Sequence, residues 1–268
     1  MLKGLLPLIA SGFLILVPEL SSAEDSPILA RIAKTGELRV GMSGAQPPLN
    51  MKSKAGDMIG LEVELAQLLA EAMGVRLQIV ETPFSQLLGA LRRKEVDMVI
   101  SGMTMTVQRN TIAAFAGPYL VSGKSILTKS TALAGSDAPE DLDAPELKLA
   151  ALKNSTSQLF VEALAPKAEL VKIETYDEGV QMVIEDKVDA LVADQPICML
   201  SVLLNADKGL ATLSTPFSIE PIGIGLPTGD PLLVNLIENY LEVMETSGLL
   251  AQLRTRWLEE TSWLEQLP

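Results

Sequence analysis

Arg109 closes the segment Ser101-Gly102-Met103-Thr104-Met105-Thr106-Val107-Gln108-Arg109, in which small and hydroxyl residues run into the start of a helix. A guanidinium presents a planar fork of N–H donors that matches both oxygens of a carboxylate. The loop Gly102-Met103-Thr104 adds backbone N–H groups, and the Thr104 hydroxyl adds a donor to the same anion. The bland alternative is a surface arginine beside a helix start. Asp194 ends the apolar run Leu191-Val192-Ala193 and precedes Gln195-Pro196. That setting suits a carboxylate facing a cation, and equally the N-cap of a helix with proline in its first turn.

Other chemistry is excluded by composition. The 268 residues contain no His, so the commonest general base and metal ligand near neutral pH is missing. With Cys198 as the single cysteine, no internal disulfide and no multi-thiolate zinc site can form. Ser-His-Asp and Cys-His catalysis and His-ligated zinc are therefore out, and neither cofactor nor metal is expected. Twenty-one Lys plus Arg against 34 Asp plus Glu give a net charge of −13, which repels phosphate backbones; no nucleic-acid partner is expected.

The elements that must position Arg109 and Asp194 follow from patterning. Lys3, an apolar run from Leu5 to Val17 and the small residues Ser21-Ser22-Ala23 read as a signal peptide over 1–23, cleaved after Ala23. No Cys follows the run, so no lipid anchor is expected, and an exported periplasmic protein is. Beyond it, strand and helix patterns alternate, which predicts an α/β fold. Leu38–Gly41, Val75–Val80, Val96–Ile100 and Ile222–Leu226 read as strands. Leu61–Met73 has helical spacing and stops at Gly74, Ser85 is expected to cap a short helix through Leu91, and Pro231–Trp257 is helical with a break at Gly248. Ala132–Pro145 reads as a looser stretch. Ala90–Gly102 is echoed by Met182–Asp194: helix end, charged turn, Val-Asp, apolar strand, then a small or polar loop. Two such units predict two lobes, each presenting a loop beyond its strand ends to a shared cleft. Met42, Met51, Met103 and Met105 cluster near these loops; core filling is their expected role over lining an adaptable pocket.

Gly60-Leu61-Glu62-Val63-Glu64-Leu65, the Ser101–Arg109 segment, Phe115-Ala116-Gly117-Pro118-Tyr119 and Ser122-Gly123 resemble the periplasmic amino-acid-binding proteins of ABC uptake systems, over nearly all of the mature chain. The resemblance implies two Rossmann-like lobes joined by a two-strand hinge, the type 2 periplasmic-binding-protein fold, with the ligand cleft between lobes. It implies 24–118 plus 223–268 as lobe 1, 119–123 and 218–222 as hinge, and 124–217 as lobe 2. By it, Arg109, with Thr104 and Gly102, grips a ligand α-carboxylate, and Asp194 pairs the α-ammonium. Lys153, Thr156 and Ser157 belong to a second-lobe loop where relatives carry a glycine in place of Ser155. Phe84 matches an aromatic that stacks on the ligand, although a hydrophobic staple before Ser85 fits as well. Ser43 stands where an acid is frequent and Gln46 where an aromatic is, which argues against a cationic side chain in the ligand. The implied function is capture of a polar amino acid by a monomer and its delivery to ABC permease membrane subunits, without catalysis. A cyclohexadienyl-dehydratase-like enzyme, needing Asp194 or Glu220 as its acid, and an amino-acid sensor component remain as alternatives.

Overall fold

The computed structural model describes residues 26–267, so the expected signal peptide over 1–23 lies outside the described residues. Ten strands build two five-stranded sheets of matching design. In the first, Glu37–Met42 lies parallel between Arg76–Glu81 and Met98–Val99, and Glu220–Leu226 runs antiparallel between Met98–Val99 and Ala114–Ser122. In the second, Lys148–Leu152 lies parallel between Glu169–Ile173 and Ala190–Asp194, and Lys124–Thr128 runs antiparallel between Ala190–Asp194 and Ala211–Thr212. Ala45–Gln46, Asn50–Lys52 and Met58–Ile59 form a small third sheet. The expected α/β fold of two lobes with a cleft between them is what this describes.

The inner strands are apolar runs because helices cover both faces. Ala190–Asp194 and Lys124–Thr128 are buried at every position. The helix Leu61–Ala72 buries Leu61, Leu65 and Leu69 of the stripe its spacing predicted, together with Ala66, whereas Leu68 is half-buried and Ala72, at the helix end, is exposed. Pro231–Thr246 is capped by the Asp230 carboxylate on the Leu233 N–H (3.0 Å) and gives way at Gly248 to Leu249–Arg254. None of the helices among the described residues is long and apolar enough to cross a membrane. Met42, Met51 and Met103 are buried in the core and Met105 packs against it.

The echoed segments are equivalent in detail. Lys94 and Asp186 occupy matching places after their helices, both at positive φ (60° and 55°). Three residues on, Asp97 accepts the Arg39 N–H at 2.8 Å and Asp189 accepts the Lys148 N–H at 2.8 Å. The Val-Asp pair thus ties each central strand to the start of its neighbour. Asp97 also gathers the Arg31 and Arg39 guanidinium groups, which balance its full burial.

Some elements differ from their patterns. Ser85 caps nothing; it lies inside the 3-10 turn Phe84–Gln86 that leads into Leu87–Arg92. The strand expected over Val96–Ile100 is paired only at Met98–Val99, because Asp97 and Ile100 bond across as single brackets at its ends. The stretch from Ala132 to Pro145 includes parts of two short ordered pieces, Thr131–Ala134 and Pro139–Leu142.

Between Ala114–Ser122 of the first sheet and Lys124–Thr128 of the second stands Gly123 alone. A Cβ on Gly123 would lie 2.1 Å from the Ser218 carbonyl oxygen of the returning segment. Around this contact the Lys124 N–H donates to Ser218 Oγ (3.0 Å), Phe217 N–H to the Lys124 carbonyl (2.7 Å) and Gln195 N–H to the Gly123 carbonyl (2.9 Å). Gly123→Ala should cost about 2 kcal/mol, a fall in Tm of roughly 5 °C, because a backbone atom cannot step aside. Thermal denaturation checks this; an unchanged Tm would mean that the connecting segments are slack.

Candidate functional site

Arg109 lies on the one-turn helix Val107–Asn110, whose N-cap Thr106 accepts the Arg109 N–H at 3.1 Å. Its side chain turns inward: the residue is only 9% exposed. The guanidinium donates to the Thr104 carbonyl (2.9 Å) and, across the cleft, to the Asn154 carbonyl (3.3 Å), and its carbon sits 5.7 Å from the centre of the Phe84 ring. No carboxylate among the described residues forms an ion pair with it. Burial lowers its pKa, opposed by the fields of Asp194, Glu220 and Tyr176. An arginine nevertheless stays charged, so a cation bonded only to neutral carbonyls has remaining affinity for an anion.

The second lobe meets this group closely. Thr104 and Thr156 hydroxyls are 3.2 Å apart, one from each lobe. Ser157 Oγ is buried without a hydrogen-bond partner. Ser155, standing where relatives were expected to carry glycine, caps the helix Thr156–Leu164: its Oγ accepts the Gln158 N–H (3.2 Å) and donates to the Leu152 carbonyl (2.6 Å). One apolar cluster spans the divide, with Phe84, Leu87, Met103 and Phe115 on one side and Tyr176, Val180 and Ile197 on the other. Arg109, Thr104, Phe84 and Thr156 are therefore brought together, and Ser157 follows Thr156 in the same helix turn. Lys153 is not: it is solvent-exposed and pairs with Glu174 at 2.8 Å.

Asp194 is buried at the end of its strand, in register with Lys124 on the neighbouring strand. It occupies the N-cap position of Gln195–Leu204, yet its side chain makes no capping bond. Instead Lys124, itself 1% exposed, places its ammonium 2.5 Å from Asp194 Oδ1 and 3.7 Å from Glu220 Oε2. The acid expected to stand open for a ligand ammonium is thus engaged by the chain's own lysine. Lys124 had a signal in the sequence, the first residue after Ser122-Gly123, but a lysine there reads as a surface charge until the strand register is known.

Gly102 also departs from its expected role. Its N–H donates inward to Glu62 Oε1 (2.6 Å), and its φ of 56° is one that glycine adopts freely. Glu62 is fully buried and accepts from the Asn50 side-chain amide (2.5 Å) and the Tyr119 hydroxyl as well. Burial pushes its pKa above the usual 4.5 despite these bonds, and pushes the Tyr119 phenol well above 10.0. Gln46 and Ser43 extend this network: Ser101 Oγ donates to Gln46 Oε1 (3.0 Å) and accepts the Ser43 N–H (3.0 Å), while Ser43 Oγ donates to Asn50 Oδ1 (3.1 Å). Both brace the Ser101–Thr104 loop from behind. Cys198 is buried with its pKa raised to about 12, so it offers no thiolate near neutral pH. Among the described residues no group of three His, Cys, Asp or Glu could hold a metal ion.

Residues 38–260 match the family of bacterial extracellular solute-binding proteins, family 3. The chain is 28% identical over 231 residues to a cyclohexadienyl dehydratase of Pseudomonas aeruginosa, covering 86% of each. It is 27% identical over 239 residues to an L-cystine-binding protein of Escherichia coli strain K12, covering 88% of each. The crystal structure of an ancestral amino acid-binding protein, a precursor of cyclohexadienyl dehydratase, superposes with a TM-score of 0.79 at 32% identity, covering 86% of this chain and 99% of that one.

Because its folded pKa is raised, Glu62 holds a proton above pH 4.5 that the unfolded chain has released. Its contribution to stability is present below 4.5 and is lost as pH rises through the folded pKa. Relative to Glu62→Gln, which does not titrate, the natural chain should lose stability at a limiting rate of about 1.4 kcal/mol per pH unit over that window. Denaturant titrations at successive pH values measure the gap; a constant gap would mean that Glu62 ionises alike in both states.

Proposed function

The chain belongs to family 3 of the bacterial extracellular solute-binding proteins, and from that premise we propose that it is a non-enzymatic periplasmic receptor that captures a polar amino acid between its lobes and delivers it to an ABC permease. The observation that carries this reading is the buried Arg109 guanidinium, bonded only to carbonyls, with hydroxyls of both lobes beside it. A carboxylate there would gain a bidentate, charge-assisted pair in a site largely shielded from water. Contacts from both lobes make a bound solute favour the closed form over an open one, the condition for ligand-driven hinge closure. Residues 119–123 and 218–222 serve as the hinge, with 24–118 plus 223–268 as one lobe and 124–217 as the other; the tight approach at Gly123 supports that division. Ser43 and Gln46 bring no acid to the first loop, which favours a polar, acidic or small side chain over a cationic one. The receptor works as a monomer, and its partners are the permease membrane subunits.

The similarity to a cyclohexadienyl dehydratase favours a second reading, an enzyme on the same scaffold. Product formation from prephenate or arogenate would replace the receptor reading with it. A thermal-shift screen of the twenty amino acids should give at least one stabilising ligand, since binding to the folded state raises Tm. In calorimetry with that amino acid, Arg109→Ala should weaken binding by more than about tenfold, or about 1.4 kcal/mol. Unchanged affinity would remove Arg109 from the site.

A further inference from the structure

The helix Gln195–Leu204, which leads out of the second sheet, turns Ile197, Cys198 and Ser201 into the protein, and its Leu200 joins the apolar cluster of the first sheet. Its outer face is not polar. Met199 and Leu203, one turn apart on the same side, are 54% and 53% exposed. Both line a cavity of about 440 Å³. More of its lining comes from the C-terminal segment, through Trp257, Trp263 and Leu264, whose tryptophans belong to the first sheet's cluster. Val121 and Ser122, the last residues of Ala114–Ser122 before Gly123, complete the junction.

Two orphaned polar atoms mark this cavity. Ser122 Oγ and Trp263 Nε1 are each buried with no hydrogen-bond partner, and both residues line it. Trp263 is shared with a neighbouring cavity, whereas Ser122 stands on the connecting strand. An indole N–H only donates and a hydroxyl can donate as well, so an acceptor satisfies either. Left unpaired, a buried donor bears its desolvation cost uncompensated. The charged residues of the lining are Glu259 and Glu260, both exposed, with no Lys or Arg among them. An anion is repelled there and finds no counter-charge. Water satisfies donors but leaves Met199, Leu203 and Leu264 wetted.

We propose that this cavity is a second ligand site, for a neutral, mainly apolar molecule that carries a hydrogen-bond acceptor such as a ketone or ester oxygen. Its apolar body packs against Met199, Leu203 and Leu264, and its acceptor takes up the Ser122 hydroxyl or the Trp263 N–H. The site is separate from the cleft at Arg109: none of Arg109, Thr104, Phe84 and Thr156 lines it. One part of the lining follows the second sheet and another packs with the first, so an occupant favours this arrangement of the lobes over one that parts them. The proposal stands apart from the receptor reading and does not need it.

The probe is prodan, a neutral naphthyl ketone whose emission moves to shorter wavelength when it leaves water. Titrated into the natural chain, it should give a saturable blue-shifted emission and change the fluorescence of Trp257 and Trp263, the chain's two tryptophans, both of which line the cavity. The anionic dye anilinonaphthalene sulfonate should bind at least about tenfold more weakly. Leu203→Lys should weaken prodan by about tenfold or more, and Ser122→Ala by about threefold. Both variants should melt close to the natural chain, because Leu203 is exposed and the Ser122 hydroxyl bonds to nothing. Absence of saturable prodan binding would overturn the proposal, as would equal affinity for the anionic dye or an unchanged prodan affinity in either variant.

Discussion

A guanidinium enclosed by protein and answered only by carbonyl oxygens is the constraint around which the cleft is arranged. Burying Arg109 costs solvation, and two backbone carbonyls and the face of Phe84 return only part of it. One of those carbonyls, Asn154, belongs to the opposite lobe, so the cation also draws the two lobes together. The remaining demand for negative charge is not met by any carboxylate bonded to the guanidinium among the described residues.

Rigidity behind the site comes from a polar layer. The loop from Ser101 to Thr104 is fastened from beneath by Glu62, Gln46, Asn50 and Ser43, and Glu62 reaches Tyr119 on the strand that leads out of the first lobe. Every member has a partner, as a buried network must if it is to specify one arrangement. Position of the binding loop and position of the connecting strand are thereby set by the same carboxyl group. The loop's donors are divided, with the Gly102 N–H spent inward and the Thr104 hydroxyl left facing the cleft.

Much of this was legible in the chain because it follows from local pattern. The helical stripe of Leu61–Ala72, the break at Gly248 and the paired Val-Asp echo come from spacing alone, and the echo extends to matched positive φ at Lys94 and Asp186. The convergence of Arg109, Thr104 and Thr156 was readable through resemblance, not through composition. What escaped depends on register between distant strands. Lys124 meets Asp194 only because their strands align antiparallel at that position, 70 residues apart in sequence. Glu62 sat within a quoted motif, but nothing local says that an acid on a helix's first turn will be wholly enclosed. Ser85 was misplaced for the opposite reason: a good capping residue was overruled by the 3-10 turn that turns Phe84 inward.

The lone sulfur of Cys198 has a practical corollary. Walled in and holding its proton up to about pH 12, it can neither attack a disulfide nor be reached by one. In an oxidising solution copies of the protein therefore have no accessible thiol with which to cross-link, and the chain can be handled in air without reductant and remain unpaired.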